Sequence, residues 1–204
     1  MKIIGIETSG SIGSVCVCDS DTIVAQKTFG KASDHGKGIV SSLKSLFDEI
    51  TWKPNDIDLI AVSIGPGSYT GLRVGVTCAK TLAYSLKKPV IAVPTLDVLA
   101  ENVENNVNTL CPVMDAKRKS VYACIYVRAD NEKKRTTDFL FISPKDLLEI
   151  LPDHTFLFGD GIIPYREIFS QKNLTLSPDV LGIASANNVA KPGLKRYEQG
   201  ERCE

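Results

Sequence analysis

Apolar and polar positions alternate along this chain with two different periods. Residues 2–6 form an apolar run that ends at Glu7, and Val15-Cys16-Val17-Cys18 and Thr22 to Phe29 follow across short polar turns. The brief Asp19-Ser20-Asp21 connection predicts an antiparallel meander of three strands. The period then changes. Ile39, Leu43, Leu46, Phe47 and Ile50 fall on one stripe of a helix predicted over residues 34–50, with Ser33 or Asp34 as its N-cap. Pro54-Asn55-Asp56 punctuates the chain before a buried strand at residues 58–64. A helix is predicted from Val74 to Leu86, a strand over Pro89 to Val93, and a helix from Pro94 to about Asn102.

Asn102 to Thr109 is polar and rich in asparagine, and the opening pattern returns after it. Cys111-Pro112-Val113-Met114 leads to Asp115, then to the polar turn Ala116-Lys117-Arg118-Lys119-Ser120, then to a strand from Val121 to Val127. Strand, acid, polar turn, strand is also the order at Glu7, so each half opens alike. This weak repeat predicts a duplicated α/β fold, two ββ(β)α-type lobes with mixed sheets, the second reduced. The boundary falls between residues 103 and 104, giving lobes 1–103 and 104–204. Asn131 to Arg135 reads as a solvated turn, Phe139 to Ile142 as a strand, Pro144 to Leu151 as a helix, and Phe156 to Gly161 as a strand entering a glycine turn. Lys191 to Glu204 reads as a polar tail.

The most distinctive stretch is Ser63-Ile64-Gly65-Pro66-Gly67-Ser68-Tyr69-Thr70-Gly71-Leu72-Arg73-Val74-Gly75. A strand, a glycine-rich turn and a helix start can aim backbone N–H groups at an anion. The same sequence also makes a tight turn that lets helix and sheet pack, and pattern alone leaves both open. Gly71, Gly75 and Ala79 form a small-residue stripe, either an internal packing seam or an oligomer seam. A glycine inside a helix costs roughly 1 kcal/mol against alanine, so a close approach is expected there.

Composition narrows the function. Lys+Arg and Asp+Glu both number 24, so the formal charge is zero, and a protein that grips nucleic acid alone carries a basic excess. The N-terminal apolar run is too short for a signal peptide, and no window reaches a membrane span. Six cysteines without a CxxC pair, Cys16, Cys18, Cys78, Cys111, Cys124 and Cys203, read as free thiols of a reducing cytoplasm. Two histidines, His35 and His154, with no HxxxH or HExxH spacing, argue against a metal site.

Several residues are chemical candidates. Glu7 either orients a metal-bound water or caps the turn from Ser9 to Ser14. Arg73, a cation near a helix N-terminus, calls for an acidic or phosphate partner. Ser68 and Thr70 have no His–Asp pair in reach by sequence and read as N-capping residues. Lys117-Arg118-Lys119 is a basic turn able to touch phosphates.

Ile6-Glu7-Thr8-Ser9, the Gly65 to Gly75 loop, Pro94-Thr95-Leu96 and Asp115-Ala116-Lys117-Arg118, in that order, resemble the TsaB (YeaZ) family over essentially the whole chain. The resemblance implies the actin-like, Hsp70-like ATPase (ASKHA) fold. It implies a dimerisation subunit of the bacterial machinery that makes threonylcarbamoyladenosine (t6A) at position 37 of tRNAs reading ANN codons. The partner TsaD transfers the threonylcarbamoyl group to N6 of that adenosine and uses a helical HxxxH metal pair, which this chain lacks. The family pairs with TsaD through two N-terminal helices, TsaE docks on the pair, and the same surface makes homodimers. Carried onto this chain, the interface is His35, Ile39, Leu43, Leu46, Phe47, Gly71, Leu72, Gly75, Val76 and Ala79. A nucleotide or anion loop would use Glu7, Thr8, Ser9, Gly65, Gly67, Ser68 and Arg73. No cofactor is expected on this chain alone; ATP, Mg and metal belong to the partners, and tRNA contact is indirect or shared. The sequence departs from the family at Glu7, where an Asp is usual, and in its short second half. The rival expectation is a free-standing nucleotide-binding enzyme of this fold, a small-molecule kinase or a peptidase.

Overall fold

The computed structural model describes residues 1–31, 35–103, 107–130, 132–177 and 182–202, without the side chains of residues 31, 35 and 37. The predicted N-cap at Ser33 or Asp34, Asn131 and Cys203 lie outside the described residues.

The chain divides into two compact units, Met1–Val98 with Ala184–Glu204, and Leu99–Ile183. The first is built on five strands: β1 (Lys2–Glu7), β2 (Ile12–Asp19), β3 (Thr22–Lys31), β4 (Leu59–Ser63) and β5 (Val90–Val93). Their order is β3-β2-β1-β4-β5. The first three strands form the expected antiparallel meander, while β1–β4 and β4–β5 are parallel.

The period-two alternation sorts the strand residues onto two faces. Ile4, Ile6, Val15, Val17, Ile60 and Val62 point to one face. There they meet α1 (His35–Glu49) and α2 (Tyr69–Leu86), through Ile39, Leu43, Leu46 and Ala79. Ile3, Cys16, Cys18, Leu59, Ala61, Ile91 and Val93 point to the other face. The last helix of the chain, Asn187–Glu198, covers them with Val189, Ala190 and Leu194. Cys16 and Cys18 share a face as expected, with their sulfurs 3.7 Å apart.

That last helix changes the expected domain boundary. The segment read as a polar tail is helical and returns to the first unit. Gly193 lies against the Cβ of Ala61, so the helix backbone approaches β4 closely. Arg196 bonds Asp97 at 3.2 Å. The helix at residues 74–86 also starts earlier than predicted, at Tyr69. Ser68 caps it, accepting the Gly71 N–H at 3.3 Å.

A short helix, α3 (Thr95–Ala100), leads from the first unit to the second. There β6 (Thr109–Asp115), β7 (Val121–Ala123), β8 (Tyr126–Ala129), β9 (Glu132–Arg135), β10 (Leu140–Ile142), β11 (Phe156–Phe158) and β12 (Thr175–Ser177) form one sheet. Its main path is β10-β7-β6-β11-β12, with β8 and β9 to the side. This reproduces the first sheet strand for strand: β6–β7 is antiparallel like β1–β2, and β6–β11 and β11–β12 are parallel. The sequence repeat is thus a repeat of topology. Two expectations change here. The strand at residues 121–127 breaks at Cys124-Ile125, where Ile125 bonds the Thr137 hydroxyl and the Thr136 N–H instead of a strand neighbour. Glu132 to Arg135, read as a solvated turn, is β9 paired with β8. The helices α4 (Pro144–Ile150) and α5 (Arg166–Phe169) are short, and Leu147, Leu151 and Phe169 close the core over Val113, Val121 and Leu157. The helix over residues 187–198 is α6.

Candidate functional site

The ends of β1, β4 and β5 carry the glycine loop and its neighbours. Gly65 and Gly67 have positive φ, 109° and 157°, in a backbone only glycine adopts readily, and the Gly65-Pro66 peptide is cis. The loop groups are engaged in packing: the Ser68 N–H bonds the Ser9 carbonyl at 2.7 Å, and the Gly65 carbonyl takes the Thr95 N–H at 2.8 Å. A Cβ at Gly67 would press on the Ser9 backbone. These contacts make the turn a tightly packed one against the Ser9 turn and the start of α3.

Glu7, Thr8 and Ser9 are all buried, Glu7 completely. One Glu7 carboxylate oxygen accepts the Ser9 N–H. Burial pushes the Glu7 carboxyl above its usual range, while the hydroxyl and N–H of Ser9, the Ser63 hydroxyl and the Thr8 N–H pull it back. Glu7 is fully buried while Arg73 is exposed on α2, so the structure does not bring the two side chains to one accessible site. Arg73 is exposed on the far side of α2, its guanidinium 5.5 Å from the centre of the Tyr69 ring.

The residues expected at a partner interface separate into two sets. Ile39, Leu43, Leu46, Gly71, Gly75 and Ala79 are buried within the chain's own first unit, so they hold α1 and α2 to the sheet and offer nothing to a partner. Gly75 fits directly against the Thr8 hydroxyl. Phe47, Leu72 and Val76 are half-buried, and Phe47 and Val76 pack on the same core. His35 opens α1, and its side chain lies outside the described residues.

The outer stripe of the two helices is what remains accessible, and the sequence reading missed it. A groove of about 550 Å³ runs between α1 and α2, lined by Val40, Thr70, Arg73, Val74, Thr77 and Leu82 among others. Val40 is 65% exposed, and Tyr69 and Tyr84 stand out at 75% and 88%. All three stand on the outer face of the two helices rather than in the core. The available signal was Val40, Tyr69 and Tyr84 lying off the core stripe.

In the second unit, Asp115 accepts the Lys117 N–H at 2.8 Å and holds the Lys117 ammonium at 2.6 Å. That pairing lowers the Asp115 carboxyl and raises Lys117. Lys117, Arg118 and Lys119 all have positive φ, 61°, 50° and 63°, in a left-handed turn that leaves their side chains exposed. Among the described residues no group of three His, Cys, Asp or Glu is placed to hold a metal, and no helix is long and apolar enough to cross a membrane.

Two lobes with the same strand order, each opening on an acid-turned hairpin, define the actin-like, Hsp70-like ATPase fold. The same architecture appears in a ROK hexokinase from Thermus thermophilus, at a TM-score of 0.60 and 8% identity over 98% of this chain and 100% of that one. It appears more closely in YeaZ from Pseudomonas aeruginosa, at a TM-score of 0.86 and 23% identity over 100% of this chain and 97% of that one. A family model described as TsaD, tRNA N6-adenosine threonylcarbamoyltransferase, matches residues 23–175. The tRNA threonylcarbamoyladenosine biosynthesis protein TsaB of Bacillus subtilis (strain 168) is 33% identical over 75% of this chain and 67% of its own length. The chain belongs to the TsaB (YeaZ) family. Its matches span 57% to 67% of the length of the first curated relatives.

Proposed function

We propose that this chain is a non-catalytic scaffold subunit in tRNA threonylcarbamoyladenosine biosynthesis. It pairs with and activates a TsaD-type subunit, which transfers threonylcarbamoyl to N6 of adenosine 37 in tRNAs reading ANN codons. The observation that carries this reading is the apolar groove between α1 and α2, lined by the exposed Val40, with Tyr69 and Tyr84 also exposed on α2. A groove of that kind on two packed helices suits a second helix pair, completing a four-helix contact. In this reading TsaE docks on the pair, and the isolated chain closes the groove by forming a homodimer. ATP, Mg and the catalytic metal reside on the partner subunits, tRNA contact is indirect or shared, and the protein works in the cytoplasm. The names of the curated relatives favour this reading over a free-standing kinase or peptidase.

The test is co-expression with the cognate TsaD followed by size exclusion. A stable complex is expected, with no ATPase or transferase activity in this chain alone. Independent elution, together with ATP hydrolysis by this chain alone, overturns the scaffold and promotes the enzyme reading.

A further inference from the structure

One edge of the second sheet carries aromatic rings outside its core. β9 pairs with β8, β10 pairs with β7, and β7 and β8 both pair with β6, so β9 and β10 follow one another along that edge. On β10, Leu140 and Ile142 pack on the core, as do Ala123 and Val121 opposite them. Strand alternation turns Phe141 and its partner Tyr122 to the other face. The two rings meet there, with centroids 5.4 Å apart, and Phe141 is 64% exposed. Phe139, just ahead of β10, is 40% exposed and carries the Arg135 guanidinium 4.6 Å from its ring centre.

Cations stand at both ends of this aromatic stretch. Arg135 lies opposite Tyr126, which is level with Leu110 on β6. The turn carrying Arg118 and Lys119 joins β6 to β7 beyond Asp115, beside the end of β10. At the rise of a strand those two levels are roughly 17 Å apart, a span of a few nucleotides. Lys117 is held by Asp115, Lys133 by Glu101 and Lys134 by Asp130. Arg118 and Lys119 are exposed, with no carboxylate partner among the described residues. Lysines on an edge strand guard it against pairing with another strand, and β9 needs no other account. Exposed phenylalanines on the same edge work against that purpose. Rings and cations together suit a ligand with both aromatic planes and negative charge. Unpaired nucleotides are such a ligand, since their bases stack on aromatic side chains and their phosphates meet arginine and lysine. We propose that Phe141, with Tyr122 and Phe139 beside it, stacks bases of a single-stranded stretch of RNA while Arg118, Lys119 and Arg135 take its phosphates. The choice of RNA rests on the scaffold reading, whose substrate is a tRNA. A chain of zero formal charge suits a contact of this limited size, shared with a partner.

Fluorescence anisotropy of the full chain at low salt tests this, with a labelled single-stranded RNA of anticodon-loop sequence as the probe and a blunt RNA duplex for comparison. Binding of the single strand with a Kd of about 10–100 µM is expected, and weaker binding of the duplex. Phe141→Ala weakens the single-strand binding about 5- to 100-fold, as the loss of one stacked base does, and Phe141→Tyr retains it. Arg118→Gln with Lys119→Gln lowers the slope of log affinity against log salt by about 1.4, from about 0.7 for each phosphate contact. These side chains are exposed, so each variant is expected to keep the wild-type Tm. No binding at about 100 µM overturns the proposal. Equal affinity for strand and duplex, or binding unchanged in Phe141→Ala, overturns it too. If Phe141→Ala instead lowers self-association and leaves RNA binding as it was, the edge pairs with protein and the proposal fails. Pairing with TsaD is read separately by co-elution. A chain that pairs with TsaD and binds no RNA overturns this proposal alone, and one that binds RNA through Phe141 and ignores TsaD overturns the scaffold alone.

Discussion

Thr8 sits where Gly75 lets it. The Thr8 hydroxyl fills the space a Cβ on Gly75 would take, so the α2 backbone can lie close on the end of β1. The small-residue stripe of Gly71, Gly75 and Ala79 was legible in the sequence, but its use was not. Periodicity shows that residues share a face and cannot say whether that face meets the chain's own sheet or another molecule. Gly75→Leu is therefore expected to destabilise the monomer itself, by about 1–3 kcal/mol as overpacking does, measured by urea unfolding. A Gly75→Leu protein with wild-type stability that fails only to pair would show that the seam faces outward. Asp115 gives a second expectation at this scale. Its ordinary value is 3.8 and Lys117 holds the folded-state value lower. The folded state then binds fewer protons than the unfolded state, so Asp115 adds stability above the ordinary value. That contribution is lost as pH falls through the depressed one. Tm measured from pH ~7 down to ~2.5 should show wild type above Asp115→Asn at neutral pH and the gap closing in acid. A constant gap would mean that the Asp115→Asn substitution disturbs the turn for reasons unrelated to charge.

Among the elements, α6 departs furthest from its sequence. Val189, Ala190, Gly193 and Leu194 are buried, yet Lys191, Pro192, Lys195 and Arg196 interrupt them so closely that the stretch reads as polar. Four small or medium apolar residues suffice because Gly193 brings the helix down onto Ala61. The meander and α1 were legible because each carries a long unbroken period, and β4 and β5 because each is an apolar run bounded by proline or polar residues. β9, β12 and α5 were not, because three or four residues do not establish a period and their pairing comes from distant strands. Since α6 covers Ile3, Cys16, Leu59 and Ile91, a chain ending at residue 183 exposes a whole sheet face. Such a chain is expected to be insoluble or to bind a hydrophobic dye, and Leu194→Ala to lower stability by about 2–3 kcal/mol. A soluble, cooperatively unfolding truncation would show that α6 is dispensable to the first unit.

At the scale of the whole molecule, the scaffold proposed above would have to fold alone and yet keep a surface that partner binding can complete. The first unit divides these tasks between opposite stripes of the same helices. Ile39, Leu43, Leu46 and Ala79 face inward and hold the fold, while Val40, Val74 and Thr77 line the groove. Thr77 is exposed in the middle of α2. Thr77→Arg therefore adds bulk and charge to the groove without entering the core, and surface changes of this kind usually stay within about 0.5 kcal/mol in stability. If one face serves both the homodimer and the TsaD pair, the two assemblies exclude each other. Sedimentation velocity should then show a concentration-dependent dimer of the isolated chain that equimolar TsaD converts to a heterodimer, and Thr77→Arg should abolish both at an unchanged Tm. A complex holding two copies of this chain across the α1–α2 groove together with TsaD on that same groove is sterically impossible. If TsaD binds without dissolving the groove-mediated dimer, it docks elsewhere, and the α1–α2 groove is then the surface of self-association alone.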